Sequence, residues 1–104
     1  MTVVVLEDAA ADIELGRRFY EFCEIGIGDY FVDSIFSDLQ RLGDISGIHP
    51  FHFGFRRMLC QRFPFAIYYQ VEDDTAYVYG VLDLRRDPLW IRSQLESRDS
   101  IKSS

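Results

Sequence analysis

Lysine is almost missing from this chain. Lys102 stands alone among eleven basic residues, and the formal net charge is −6. An acidic chain with one lysine is poorly suited to gripping a polyanion nonspecifically, so direct nucleic-acid binding is not expected. Cysteine is scarce too. Cys23 and Cys60 form no CxxC motif and no Cys/His cluster, which excludes a disulfide framework and argues against a structural zinc site. Both thiols are expected to be buried and reduced. The two histidines, His49 and His52, flank Pro50 in a loop and have no further ligand at metal-binding spacing. No metal and no cofactor are expected. The opening run Met1–Leu6 is too short to span a membrane and lacks the charged leader and cleavage site of an export signal, so the expected location is the cytoplasm.

What the chain does have is apolar mass. Hydrophobic residues make up 48% and aromatics 15% of 104 residues. That is enough to bury one core and to offset chain entropy. One domain is expected over residues 1–96, with a flexible tail over 97–104, where serine and charge dominate. Charge is unevenly distributed. Residues 1–50 carry ten acids against three basic residues, and residues 51–104 carry seven against eight. The stretch 51–71 holds Arg56, Arg57 and Arg62 and not one acid.

Val3–Leu6 is β-branched and reads as a short strand. Glu7 and Asp8 open a helix, complementing its dipole, and Asp8 is a candidate cap. Ala9, Ile13, Gly16, Tyr20 and Cys23 make one apolar stripe along that helix. Leu15, Phe19 and Phe22 make a second stripe, a candidate partner-binding face or a packing face for the next helix. Gly26 suits the left-handed position of a turn. A second helix is expected over 28–42, with Phe31, Ile35, Leu39 and Leu42 facing the core, Val32 and Phe36 widening that stripe, and Gly43 ending it. Two helices so joined should form an antiparallel hairpin. Residues 46–50 read as a loop. Strands follow over 55–62, 65–72 and 75–84, the last two joined at Asp73-Asp74 as a hairpin. Pro88 opens a short helix reaching about Leu95, in which Trp90 either anchors the segment on the sheet or meets a partner. The class is α+β, in the order β-α-α-β-β-β with a terminal helix. A helical hairpin should cover one face of a mostly antiparallel sheet. The strands are apolar on both sides, so the terminal segment or a partner must cover the other face.

Three ordered stretches carry a resemblance. They are Glu7-Asp8-Ala9-Ala10-Ala11-Asp12-Ile13, the run from Arg56 through Phe63-Pro64-Phe65 to Tyr69, and Val81-Leu82-Asp83-Leu84-Arg85-Arg86-Asp87-Pro88. Together they resemble the RelE/ParE family of toxins from bacterial toxin–antitoxin systems, over about residues 3–95. The resemblance implies a small bacterial toxin of a plasmid-stabilisation type, neutralised by a cognate antitoxin that lays a largely helical segment across it. It also implies one of two activities: RelE-like cleavage of messenger RNA on the ribosome, or ParE-like inhibition of DNA gyrase without a nuclease site.

The residues sort these activities. Cutting RNA requires a general base, a general acid and stabilisation of phosphate charge. Arg56, Arg57, Arg62, Arg85 and Arg86 are the candidate phosphate clamp for a nuclease. Arginine stays protonated and cannot serve as the base. The resemblance implies that a RelE-like nuclease would carry a Tyr or His in its C-terminal segment; here there is neither after Leu84, and of Asp87, Trp90 and Glu96 only the carboxylates can move a proton. No catalytic residue is assigned, and a protein-binding, ParE-like toxin is the favoured reading. The alternatives are a nuclease and a non-toxic homologue that only binds antitoxin. Leu15, Phe19, Phe22 and Trp90 are the candidate antitoxin contacts, and a homodimer is expected to be possible when antitoxin is absent.

Overall fold

The computed structural model describes residues 1–103, with side chains described for residues 1–98. The elements run β1 (Thr2–Val5), α1 (Glu7–Cys23), α2 (Ile27–Ile45), β2 (Phe51–His52), β3 (Phe55–Leu59), β4 (Phe65–Glu72), β5 (Thr75–Asp83) and α3 (Pro88–Ser103). Five strands form one sheet in the order β1-β5-β4-β3-β2. β1 lies parallel to β5, and every other pairing is antiparallel.

The helical hairpin covers one face, as expected. Phe31, Ile35, Leu39 and Leu42 of α2 pack with Ala9 and Ile13 of α1 onto Ile67, Tyr69, Val78 and Val81. The Phe31 ring of α2 packs directly on the α1 backbone at Gly16, where an added Cβ would sit 2.5 Å from it. The opposite face carries Phe55, Ala66, Tyr68, Tyr79 and Leu82, covered by Ile91 and Leu95 of α3. The terminal helix therefore supplies the second layer that two-sided apolar strands require. A bulge makes room for it. Tyr68 pairs with Gly80 and Tyr69 with Val78, so Tyr79 is an extra residue in β5. Tyr79 and Gly80 then both fall on the α3 side, and Gly80 lets Leu95 come within 3.3 Å of the position a Cβ would take.

Several boundaries differ from the expectations. Asp8 is not the α1 cap, because the helix already starts at Glu7, with Leu6 in the cap position and no side-chain cap bond. Gly43 does not end α2, which runs on to Ile45; Gly43 sits where the chain start crosses, 3.4 Å from the Met1 carbonyl at its Cβ position. Residues 51–52 form an added edge strand that their loop context hid. β3 stops at Leu59, because Cys60 N–H already bonds Phe65 O to close the turn. Cys23 is exposed, contrary to the buried thiol expected, since it is the last residue of α1 and sits in the exposed run Phe22 to Gly26 at the helix–helix turn. Phe36 is exposed as well, and does not widen the core stripe. α3 extends well beyond Leu95, and Arg98 is anchored in it. The rest of the tail expected over 97–104 lies outside the residues whose side chains are described, apart from Ser97. Among the described residues, no helix is long and apolar enough to cross a membrane.

Candidate functional site

The site begins at an incomplete sheet edge. β1 accompanies β5 only as far as the pair Val5–Val78, with Leu6 N–H reaching Val78 O at 3.1 Å. β5 continues to Asp83 with no strand on that side. Buried backbone groups there must find other partners. Two side chains provide them. Asp12 of α1 accepts the Val81 N–H at 3.0 Å. Arg98 of α3 donates to Tyr79 O at 3.1 Å and holds Asp12 with both guanidinium nitrogens, at 2.5 and 2.9 Å.

Asp12 and Arg98 are 8% and 10% exposed, so the pair is nearly dry. Burial pushes the Asp12 carboxyl above its ordinary value, and the bonds from Arg98 and Val81 only partly pull it back. The pair therefore fixes geometry more than it stabilises, as buried ion pairs commonly do. It ties α1 and α3, which lie on different faces, to one strand edge.

Just beyond this tie, α1 and α3 diverge and leave a groove of about 300 Å³. Leu15, Gly16 and Phe19 form the α1 wall. Val81, Leu82 and Asp83 of β5 form the floor, and Arg86 and Trp90 close the far side. The Arg86 guanidinium lies 3.7 Å over the Trp90 ring, a cation–π contact that sets the rim. Leu15 and Phe19 are both more than half exposed. Gly16 lines the groove between them, while its own close approach to Phe31 holds α1 against α2.

Of the four candidate partner contacts, the structure brings Leu15, Phe19 and Trp90 into this groove. Phe22 lies outside it, about one turn further along α1, exposed beside Ile25. Together they prolong the apolar surface from the groove to the helix–helix turn. That turn is held by Glu21, whose carboxylate accepts the N–H groups of Gly26 at 3.1 Å and Gly28 at 3.0 Å. The start of α2 is thus already satisfied by a carboxylate from α1.

The five candidate arginines do not gather at one point. Arg56 and Arg57 are successive residues of β3 and point to opposite faces. Arg56 donates to His49 O at 2.8 Å and stacks on Phe51. Arg62 is exposed in the turn after β3. Arg85 is held by Asp83 at 2.7 Å and by the Tyr20 hydroxyl at 3.2 Å, and the Asp83 carboxylate holds its guanidinium above its ordinary value. Arg86 alone reaches the groove. His49 bonds the Tyr69 hydroxyl, which also accepts the Gly47 N–H at 2.9 Å, so it pins a loop to the core. Among the described residues, no cluster of three or more His, Cys, Asp or Glu could hold a metal ion.

Asp12 and Arg98 were missed as site residues. Asp12 had a readable signal: it falls on the face of Ala9, Ile13 and Gly16, which is the buried stripe. An acid on that stripe demands a partner. Arg98 had no such signal, because its serine-rich surroundings resemble a frayed end.

No family model matches the chain, and no curated protein matches it. Among solved structures, it resembles a chain from one described as "Chromosomal ParDE TA system from P. aeruginosa". The two share 19% identity with a TM-score of 0.67, over 78% of this chain and 92% of that one. At that identity the likeness establishes a common fold. It agrees with the α+β arrangement and with the covering hairpin read from the residues.

Proposed function

We propose that this chain is the toxin of a type II toxin–antitoxin pair, of the RelE/ParE family and nearer its ParE branch. It acts by binding a protein target, DNA gyrase, and is held inactive by a cognate antitoxin in the bacterial cytoplasm. The fold shared with a chain of a ParDE system supports the reading. The observation that carries it is the groove: Leu15 and Phe19 stand exposed across from Trp90, in a cleft where Asp12 already holds the Val81 N–H of the floor. Exposed aromatics around a preformed cleft are the chemistry of a protein-binding hot spot. The scattered arginines supply no shared phosphate site, which favours protein binding over RNA cleavage.

The test combines growth and topology assays. Expression without antitoxin should arrest growth, and co-expression of the neighbouring antitoxin gene should restore it. Purified protein should block gyrase supercoiling and leave transcripts intact. Harmless expression would favour a non-toxic antitoxin binder, and cut transcripts would favour a nuclease.

A further inference from the structure

The outer edge of β1 is open. Thr2 N–H donates to Asp74 O at 3.2 Å and Leu6 N–H to Val78 O at 3.1 Å, both on the β5 side. Direction alternates along a strand, so Val4 also faces β5, while Val3 and Val5 turn their N–H and C=O groups away from the sheet. β1 is the last strand on that side. An open edge normally carries a lysine, a proline or a bulge that discourages pairing. Thr2-Val3-Val4-Val5 carries none of these.

Beside this edge, on the face covered by α1 and α2, lies a hollow of about 700 Å³. Val3 and Val5 form one wall, and Phe36, Leu39 and Gly43 of α2 form the other. Phe36 is 55% exposed. It misses the core, yet it stands where alternate side chains of an added strand would descend.

The charge around the edge has one sign. Asp44 lines the hollow. Asp73 and Asp74 precede Thr75, the partner of Thr2, and Glu7 and Asp8 follow the other end of β1. All five acids are exposed, and none forms an ion pair among the described residues. No arginine lines the hollow, and the single basic residue of α2, Arg41, reaches to Asp38 and to Leu59 O on β3 instead. Antiparallel pairing of β1 with a second copy would set Asp44 and the Asp73-Asp74 turn against Glu7 and Asp8 of that copy. Acids would meet acids. A segment with basic ends is attracted at both ends of the strand.

We infer that β1 takes up a further strand from another protein, an extended apolar segment flanked by lysine or arginine. Its backbone bonds the outward groups of Val3 and Val5, its apolar side chains settle against Phe36, and its basic ends meet the acids that flank β1. No residue of this hollow lines the groove at Leu15, Phe19 and Trp90. The inference does not depend on the toxin reading.

Fluorescence anisotropy on the full chain tests it, with a labelled peptide of Val-Thr-Val-Thr carrying a pair of lysines at each end. Binding with a Kd of about 10–100 µM is expected, weakening as salt is raised. N-methylvaline in place of valine keeps the charge and loses the strand donors, and should bind at least about tenfold more weakly. Glutamate in place of lysine should weaken it as much. On the protein, Val3→Pro removes the outward N–H and spares the bonds to β5. Phe36→Ser removes the apolar seat at an exposed position. Each should weaken binding at least about tenfold, and Leu15→Ser should not. No binding at about 1 mM overturns the inference. So does binding that N-methylation or the charge reversal leaves unchanged, that persists in both folded variants, or that Leu15→Ser abolishes. A dimer seen by light scattering and lost in Val3→Pro overturns it too, and assigns the edge to a second copy.

Discussion

Asp12 and Arg98 lie 86 residues apart in sequence and meet at 2.5 and 2.9 Å against the edge of β5. Removing one partner leaves a buried charge alone. Arg98→Ala should therefore cost about 3–5 kcal/mol, far above a surface substitution. The double variant Asp12→Ala, Arg98→Ala should lose less than the sum of the two single losses, because no charge is stranded. Urea denaturation of the four proteins measures this coupling. Additive losses would mean that the two groups do not interact.

Stability should fall as the solution is acidified from neutral pH. The His49 ring is desolvated and faces Arg41 and Arg56, so its folded pKa lies below the ordinary 6.5. Between the two values the unfolded chain binds more protons, and stability rises with pH across that window. The contribution is complete above pH 6.5 and is lost as pH drops below it. The cause is visible in the structure: burial and the two guanidinium groups disfavour the imidazolium beside the Tyr69 hydroxyl. His52 is lowered in the same direction, by burial and then by Arg57. Chemical melts at pH 7 and pH 5.5 should show the loss, and His49→Gln should reduce the difference between them.

The two glycines at the α1–α2 contact, Gly16 and Gly28, are expected to be intolerant. A methyl at Gly16 would sit 2.5 Å from Phe31, and one at Gly28 would sit 2.7 Å from Arg17 O. Gly16→Ala and Gly28→Ala should each cost about 1–3 kcal/mol through overcrowding, despite alanine's better helix propensity. Thermal melts decide it. An unchanged or raised melting temperature would show that the helices can separate without loss.

The groove residues should behave in the opposite way. Leu15 and Phe19 are exposed, so Leu15→Asp and Phe19→Asp should change stability by only about 0.5 kcal/mol. Their effect should appear in partner binding, as a loss of more than about tenfold in affinity for the co-expressed antitoxin. Calorimetry on the purified pair gives both numbers. Unchanged affinity in both variants would place the antitoxin elsewhere.

The two cysteines should differ in reactivity. Cys23 is exposed, while burial and the nearby Asp38 push the Cys60 thiol far above its ordinary value. Thiolate is the reactive form. Iodoacetamide at pH 8 should label Cys23 quickly and Cys60 only on unfolding, as read by peptide mass.

Much of this fold could be read from spacing. The two helices, the hairpin across Asp73-Asp74 and the core stripe of α2 follow from periodicity, because each buries one face against one neighbour. Three of the four candidate partner contacts line the groove, and they were legible for the complementary reason: Leu15 and Phe19 exceed what a surface helix needs, and Trp90 follows a sheet-breaking turn. What stayed hidden depends on residues distant in sequence. The end of α2 was misread at Gly43 because the glycine serves the crossing chain start and not a helix stop. The short strand at Phe51–His52 has only β3 to define it. The place of Arg98 depends on Asp12, and local composition carries no trace of that bond.

The parallel pairing of β1 with β5 has a consequence for how the protein is made. The first strand synthesised can be joined only by the last one, with both helices and three strands intervening. The Asp12 carboxylate of α1 waits still longer, for Arg98 of α3. Such distant contacts are slow to form. On the ribosome, the nascent chain must carry β1 unmatched until β5 has been made, and the α1 carboxylate unfilled until α3 follows.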